Sequence, residues 1–209
     1  MTSNATTKGA KAPTASSRGL TAKDILLDAI FGLLTFIVCM VIAMVFSIST
    51  DLAWWTHAVA AIPCGIIWMY LMARVPKKGS ALIAGCVMAL LGLLMGMAWT
   101  GPVGMAIGAV LCEAIMIIGK RSKWSMAVGF AIFMLCWWFG MQSLILFSGA
   151  DYVQMVVGMG MTEEYGWGLV NWTRSPMFFL CGVVTFACGI IGSLLGFRVF
   201  KKHFAKLQG

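Results

Sequence analysis

"ILLDAIFGLLTFIVCMVIAMVFSI", residues 25–48, carries one charged side chain, Asp28, in an otherwise apolar run. A helix needs about 20 such residues to cross the roughly 30 Å hydrocarbon core of a bilayer, so this stretch reads as a membrane span. Five more apolar runs follow, at about 57–75, 81–99, 102–118, 126–148 and 175–199. The composition agrees with that reading: 61% of residues are hydrophobic and 11% charged, against about 25% charged in soluble domains. The fold expected is an all-α integral membrane protein, a bundle of six transmembrane helices. The membrane domain is expected over 23–200. Residues 1–22, rich in Ser, Thr, Ala and Gly, read as a disordered tail, and 201–209 as a basic one.

The basic residues sort by side. Lys8, Lys11, Arg18 and Lys23 precede span one, while Arg74, Lys77 and Lys78 lie between spans two and three. Lys120, Arg121 and Lys123 lie between spans four and five, and Arg198, Lys201, Lys202 and Lys206 end the chain. Of the 15 Lys and Arg, only Arg174 falls on the opposite side. Cytoplasmic loops carry the excess of Lys and Arg, so both termini are expected in the cytoplasm and the protein in the cell membrane. A net charge of +8 distributed in this way points to lipid topology rather than to nucleic acid.

The outward side is aromatic. "AWWTH", residues 53–57, lies between the first two spans, and the long connection 149–174 contains Tyr152, Tyr165, Trp167 and Trp172. Trp and Tyr often sit at the headgroup level as simple anchors. The alternative is a pocket. Thr162 is a good N-cap followed by Glu163 and Glu164, so 149–174 is expected to include a short helix and to act as a lid. Arg174, where the sidedness rule disfavours a cation, suits an anionic group or fastens the lid to its acids. Trp54, Trp55, His57, Trp167, Trp172 and Arg174 are therefore the candidate substrate-binding residues.

Elsewhere the signals are structural. Gly104 with Gly108, and Gly192 with Gly196, have the spacing that lets helices approach closely. Glu113, deep in span four, has three readings: a functional acid, a partner for Lys120 or Arg121, and a contact for another protein. Asp24 and Asp28 open span one, where a helix N-terminus favours acids. The seven cysteines lie inside apolar runs without C-x-x-C spacing and read as small buried hydrophobes. No H-E-x-x-H, G-x-S-x-G or P-loop motif is present, so no enzyme activity, cofactor or resident metal is expected.

Several stretches, taken in order, resemble the substrate-binding S components of energy-coupling factor (ECF) transporters, and more narrowly the Trep_Strep, or MptD-like, group. They are "TAKDILLDAIFG" opening span one, "GIIWMYLMARVPKKGS" through span two, "EAIMIIGKRSKWS" after span four, "GMTEEY" in the long connection and the ending "GSLLGFRVFKKHFAKLQG". The resemblance covers about 185 residues. It implies a helical bundle that captures a micronutrient outside and docks on a transmembrane coupling subunit served by two cytoplasmic ATPases. Many S components dock through an A-x-x-x-A face on span one; here that region offers Ala22, Ala29 and Gly32.

The function expected is thus substrate capture for an ECF-type importer. The aromatic rim favours a flat ligand, with haem or another planar tetrapyrrole first; His57 would then be an axial ligand and Arg174 a propionate partner. An anionic vitamin is the alternative substrate. Bare metal cations lack a cluster of ligands on this side. A membrane-embedded enzyme and a non-transport assembly protein are the rival readings.

Overall fold

The computed structural model of the chain describes residues 19–201, so most of the two expected tails lies outside the described residues. Among these, every regular element is a helix: α1 (Ala22–Phe46), α2 (Thr50–Ala53), α3 (Thr56–Arg74), α4 (Ser80–Leu94), α5 (Thr100–Ile118), α6 (Lys123–Phe147), α7 (Gly149–Gly158), α8 (Glu163–Trp172) and α9 (Met177–Val199).

Five of them, α1, α3, α5, α6 and α9, are long and apolar enough to cross a membrane. The sixth expected span falls on α4, which has only 15 residues and at 1.5 Å per residue is about 22 Å long. The expected run 81–99 is cut short at Gly96. There the backbone turns left-handed (φ 76°), Gly96 N–H donates to the Leu93 carbonyl and Met97 N–H to that of Gly92. This double bond pattern closes a helix C-terminus around a residue that tolerates positive φ. Apolar content alone does not reveal such a stop.

α1 opens with a capping box. The Thr21 hydroxyl accepts from Asp24 N–H, and the Asp24 carboxylate accepts from Thr21 N–H, which satisfies two of the helix's free donors.

Helices α1, α4, α5, α6, α9 and α3 contact one another in that order, and α3 closes the ring on α1. Side chains at the centre include Trp68, Met69, Met72, Met88, Met105, Phe133 and Trp137, all at most 1% exposed. Apolar side chains such as Leu26, Leu94, Ile118, Phe179 and Val183 face outward instead, as they do where the surrounding solvent is lipid.

The small residues set the closest approaches. A Cβ on Gly104 would strike the Cys136 carbonyl and Gly140, and one on Gly192 would strike the Ala61 and Ile62 carbonyls. The spacings seen in the sequence therefore serve contacts of α5 with α6 and of α9 with α3. Gly32 is buried against the Ala84 backbone of α4. It packs inside the bundle, which corrects the expectation that it belongs to a docking face. Ala29 is half-buried and Ala22 exposed.

Candidate functional site

The ends of the bundle differ. At one end α7 and α8 form a pair that contacts α6, and α8 also contacts α2. Thr162 caps α8, its hydroxyl accepting from Tyr165 N–H, as its sequence context predicts. Residues 149–158 add a helix, α7, that the sequence reading lacked.

Beneath this pair is a cavity of about 140 Å³. α1 and α2 with their C-caps contribute Ala43, Ser47, Ala53 and Trp54, while Thr56 and His57 open α3. α6 gives Met141, Gln142 and Ile145, and the lid gives Tyr152, Tyr165 and Leu169. His57 is 7% exposed, and neither imidazole nitrogen has a hydrogen-bond partner among the described residues. Its ring meets Trp137 edge-on at 5.4 Å. Gln142 is equally buried and none of the described hydrogen bonds involves its amide. The Ser47 and Thr56 hydroxyls donate to the carbonyls of Ala43 and Ala53, which leaves their lone pairs as acceptors. Burial, with Tyr165 nearby, pushes the Tyr152 hydroxyl up to about 12; burial also raises Tyr165, against the opposing effect of Ser47. Both phenols thus remain protonated donors at neutral pH.

The sequence candidates divide into three groups. Trp54 stacks on Trp172 at 4.9 Å and 11°, and Trp55 meets Trp172 edge-on at 6.4 Å. These three form one aromatic cluster with Phe178, which Trp54 meets edge-on. The cluster fastens α8 to α2 and α3, and the Trp172 indole also donates to Asp51 at 3.2 Å. Of the three, only Trp54 touches the cavity. His57 faces it independently. Trp167 is exposed and donates to Glu163 one turn away, while exposed Arg174 does not line the cavity. A single pocket formed by all six is therefore not what the chain builds. Gln142, Tyr152 and Tyr165 line it instead. Gln142, an amide in the last two turns of an otherwise apolar helix, carried a legible signal that the sequence reading passed over.

The opposite, basic end holds a second polar group. Glu113 accepts from Arg121 at 2.9 Å, from Gly79 N–H at 2.8 Å and from Ala81 N–H at 3.1 Å. It thereby covers two N–H groups at the start of α4 and neutralises Arg121, which favours the ion pair among the three readings. Lys120 and Arg121 both have left-handed backbones (φ 51° and 53°), an uncommon pair for residues other than glycine. Arg121 also donates to the Lys77 carbonyl. Asp24 pairs with Lys77 at 2.6 Å. Asp28 is not a terminal acid: it is fully buried, accepts from Ser80, and its second oxygen has no partner among the described residues. All seven cysteines are free.

Described residues that are helical throughout, with long apolar helices turning apolar side chains outward and their charged side chains gathered towards the two ends, make an integral membrane protein. The chain belongs to the Trep_Strep family of hypothetical bacterial integral membrane proteins, whose family model matches residues 22–206. It is also similar to the phospho-N-acetylmuramoyl-pentapeptide-transferase of Levilactobacillus brevis, with 26% identity over 120 residues. That match covers 53% of this chain and 35% of the transferase, so the chain spans about a third of that relative's length. No solved structure matches.

Proposed function

We propose that the protein is the substrate-capture subunit of an ECF-type importer. In this reading it crosses the cell membrane six times, with α4 as a short sixth span and both termini in the cytoplasm. It binds a micronutrient beneath α7 and α8 on the outer side. A transmembrane coupling subunit and two cytoplasmic ATPases then supply the energy, and α1 bears the docking face, with Ala22 and Ala29 on it.

The observation that carries this reading is the polar-lined cavity under the α7–α8 pair, with the unpartnered imidazole of His57 facing it. A polar group hidden from water without partners costs stability, so a fold that keeps both imidazole nitrogens of His57 in that state beside a cavity needs a reason. The placement of the basic residues supports the orientation.

Haem remains one form of this proposal, because an imidazole with free nitrogens can ligate iron. The cavity is close to the engineered cavity of about 150 Å³ that holds benzene, and a tetrapyrrole exceeds it. Haem therefore requires α7 and α8 to lift, with Arg174 at their edge as the propionate partner. An anionic vitamin finds no cation in the cavity lining. The transferase activity of the Levilactobacillus brevis relative is a rival proposal, and no feature of the cavity favours it.

Co-expression with a coupling subunit and its ATPases tests the reading. The expected result is a complex that copurifies and drives ATP-dependent uptake into vesicles of a small molecule identified by mass spectrometry. A chain that copurifies with neither partner, or that lacks any small molecule, points to the assembly-protein or enzyme reading.

A further inference from the structure

We infer that the cavity beneath α7 and α8, in its closed form, takes an uncharged single-ring molecule that carries both a hydrogen-bond donor and an acceptor. This rests on the capture reading and specifies its ligand class.

Charge is the first constraint. No Lys, Arg, Asp or Glu lines the cavity. An ion placed there would lose its water without gaining a counter-charge, which is the costliest way to bury a polar group. Of the acids at this end, Asp51 accepts from the Trp172 indole and Glu163 from that of Trp167, and neither they nor Asp151 and Glu164 reach the lining.

Polarity is the second. A neutral imidazole offers one donor and one acceptor, and the Gln142 amide offers two donors and an acceptor oxygen. Both side chains are more than nine-tenths buried, and neither has a hydrogen-bond partner among the described residues. A wholly apolar occupant would leave the Gln142 amide without a partner, whereas a heteroaromatic or an aromatic amide answers it.

Size and shape complete the class. A volume of about 140 Å³ resembles that of the engineered cavity that accepts benzene. Four of the lining residues, Trp54, His57, Tyr152 and Tyr165, carry rings, and ring faces and edges favour a flat partner.

Matched probes test this on the full chain in lipid nanodiscs. Benzamide and nicotinamide are uncharged and polar; benzoate and nicotinate have the same size but carry a charge; toluene is apolar. Binding is read by saturation-transfer NMR with competition. At least one amide is expected to bind tenfold or more tightly than its own carboxylate and than toluene. Gln142→Leu should reduce that amide to the level of toluene while toluene binding persists. His57→Phe gives the same comparison in a second variant should the first fail to fold, each checked by its thermal melt. Carboxylates that bind as well as the amides would overturn the proposal, as would folded protein that binds no amide. If haem binds while the amides do not, the ligand class is wrong and the capture reading stands. If no probe binds and no small molecule copurifies, both fail.

Discussion

At Glu113 one carboxylate accepts from three donors drawn from two other segments, Gly79 and Ala81 at the start of α4 and Arg121 after α5. Removing one member of a buried pair leaves the other charge uncompensated, typically at about 3–5 kcal/mol. Glu113→Ala should therefore lower the melting temperature in detergent markedly, and Glu113→Gln, which keeps an acceptor oxygen, less so. A melt for the Ala variant equal to wild type would show that the ion pair does not hold this end together. Sequence depth indicated that Glu113 needs a partner, and Arg121 was among those foreseen. The two backbone donors were not legible, because they depend on how α4 docks against α5. His57 illustrates the same limit. Its place beside tryptophans suggested a site, yet its own neighbour is Trp137, some 80 residues along the chain.

At the scale of elements, the long helices are legible because their apolar runs exceed the bilayer thickness. The stops are less so. The left-handed turn at Gly96 shortens α4, and a similar one at Gly160 separates α7 from α8. The Thr162 cap was readable, and α7 carried a start signal too, the S-x-x-D spacing of Ser148 and Asp151, which the sequence reading passed over.

If α8 is a movable lid, α2 is its latch. A Cβ on Gly168 would lie 3.6 Å from the Thr50 Cβ, within the range of about 3.5–4.5 Å that disulfides span. The double variant Thr50→Cys with Gly168→Cys should cross-link under oxidation. Amide hydrogen exchange in α8 should then slow by an order of magnitude or more and recover on reduction. Equal exchange in the oxidised and reduced forms would mean that α8 does not open on its own, and that entry to the cavity lies elsewhere.

At the scale of the whole molecule, the ring order of α1, α4, α5, α6, α9 and α3 is not written in hydropathy. It depends on close approaches such as Gly104 with Gly140, whose partners a single sequence does not pair. Sidedness, by contrast, follows from where the Lys and Arg lie, and it can be tested on exposed positions. A cysteine at Ser122 should react with a membrane-impermeant reagent only after permeabilisation, and one at Thr162 in intact cells, measured against the native cysteine background. The reverse pattern would place the lid, and the cavity beneath it, on the cytoplasmic side.

The central claim is that the lid end holds a captured molecule at His57 and Gln142. Native mass spectrometry of the chain purified from cells in rich medium tests it most directly, comparing wild type with the His57→Ala, Gln142→Leu double variant. The account predicts a small-molecule adduct on the wild type that is lost from a folded variant. Identical spectra for the two proteins, with no adduct or with the same one, would contradict it.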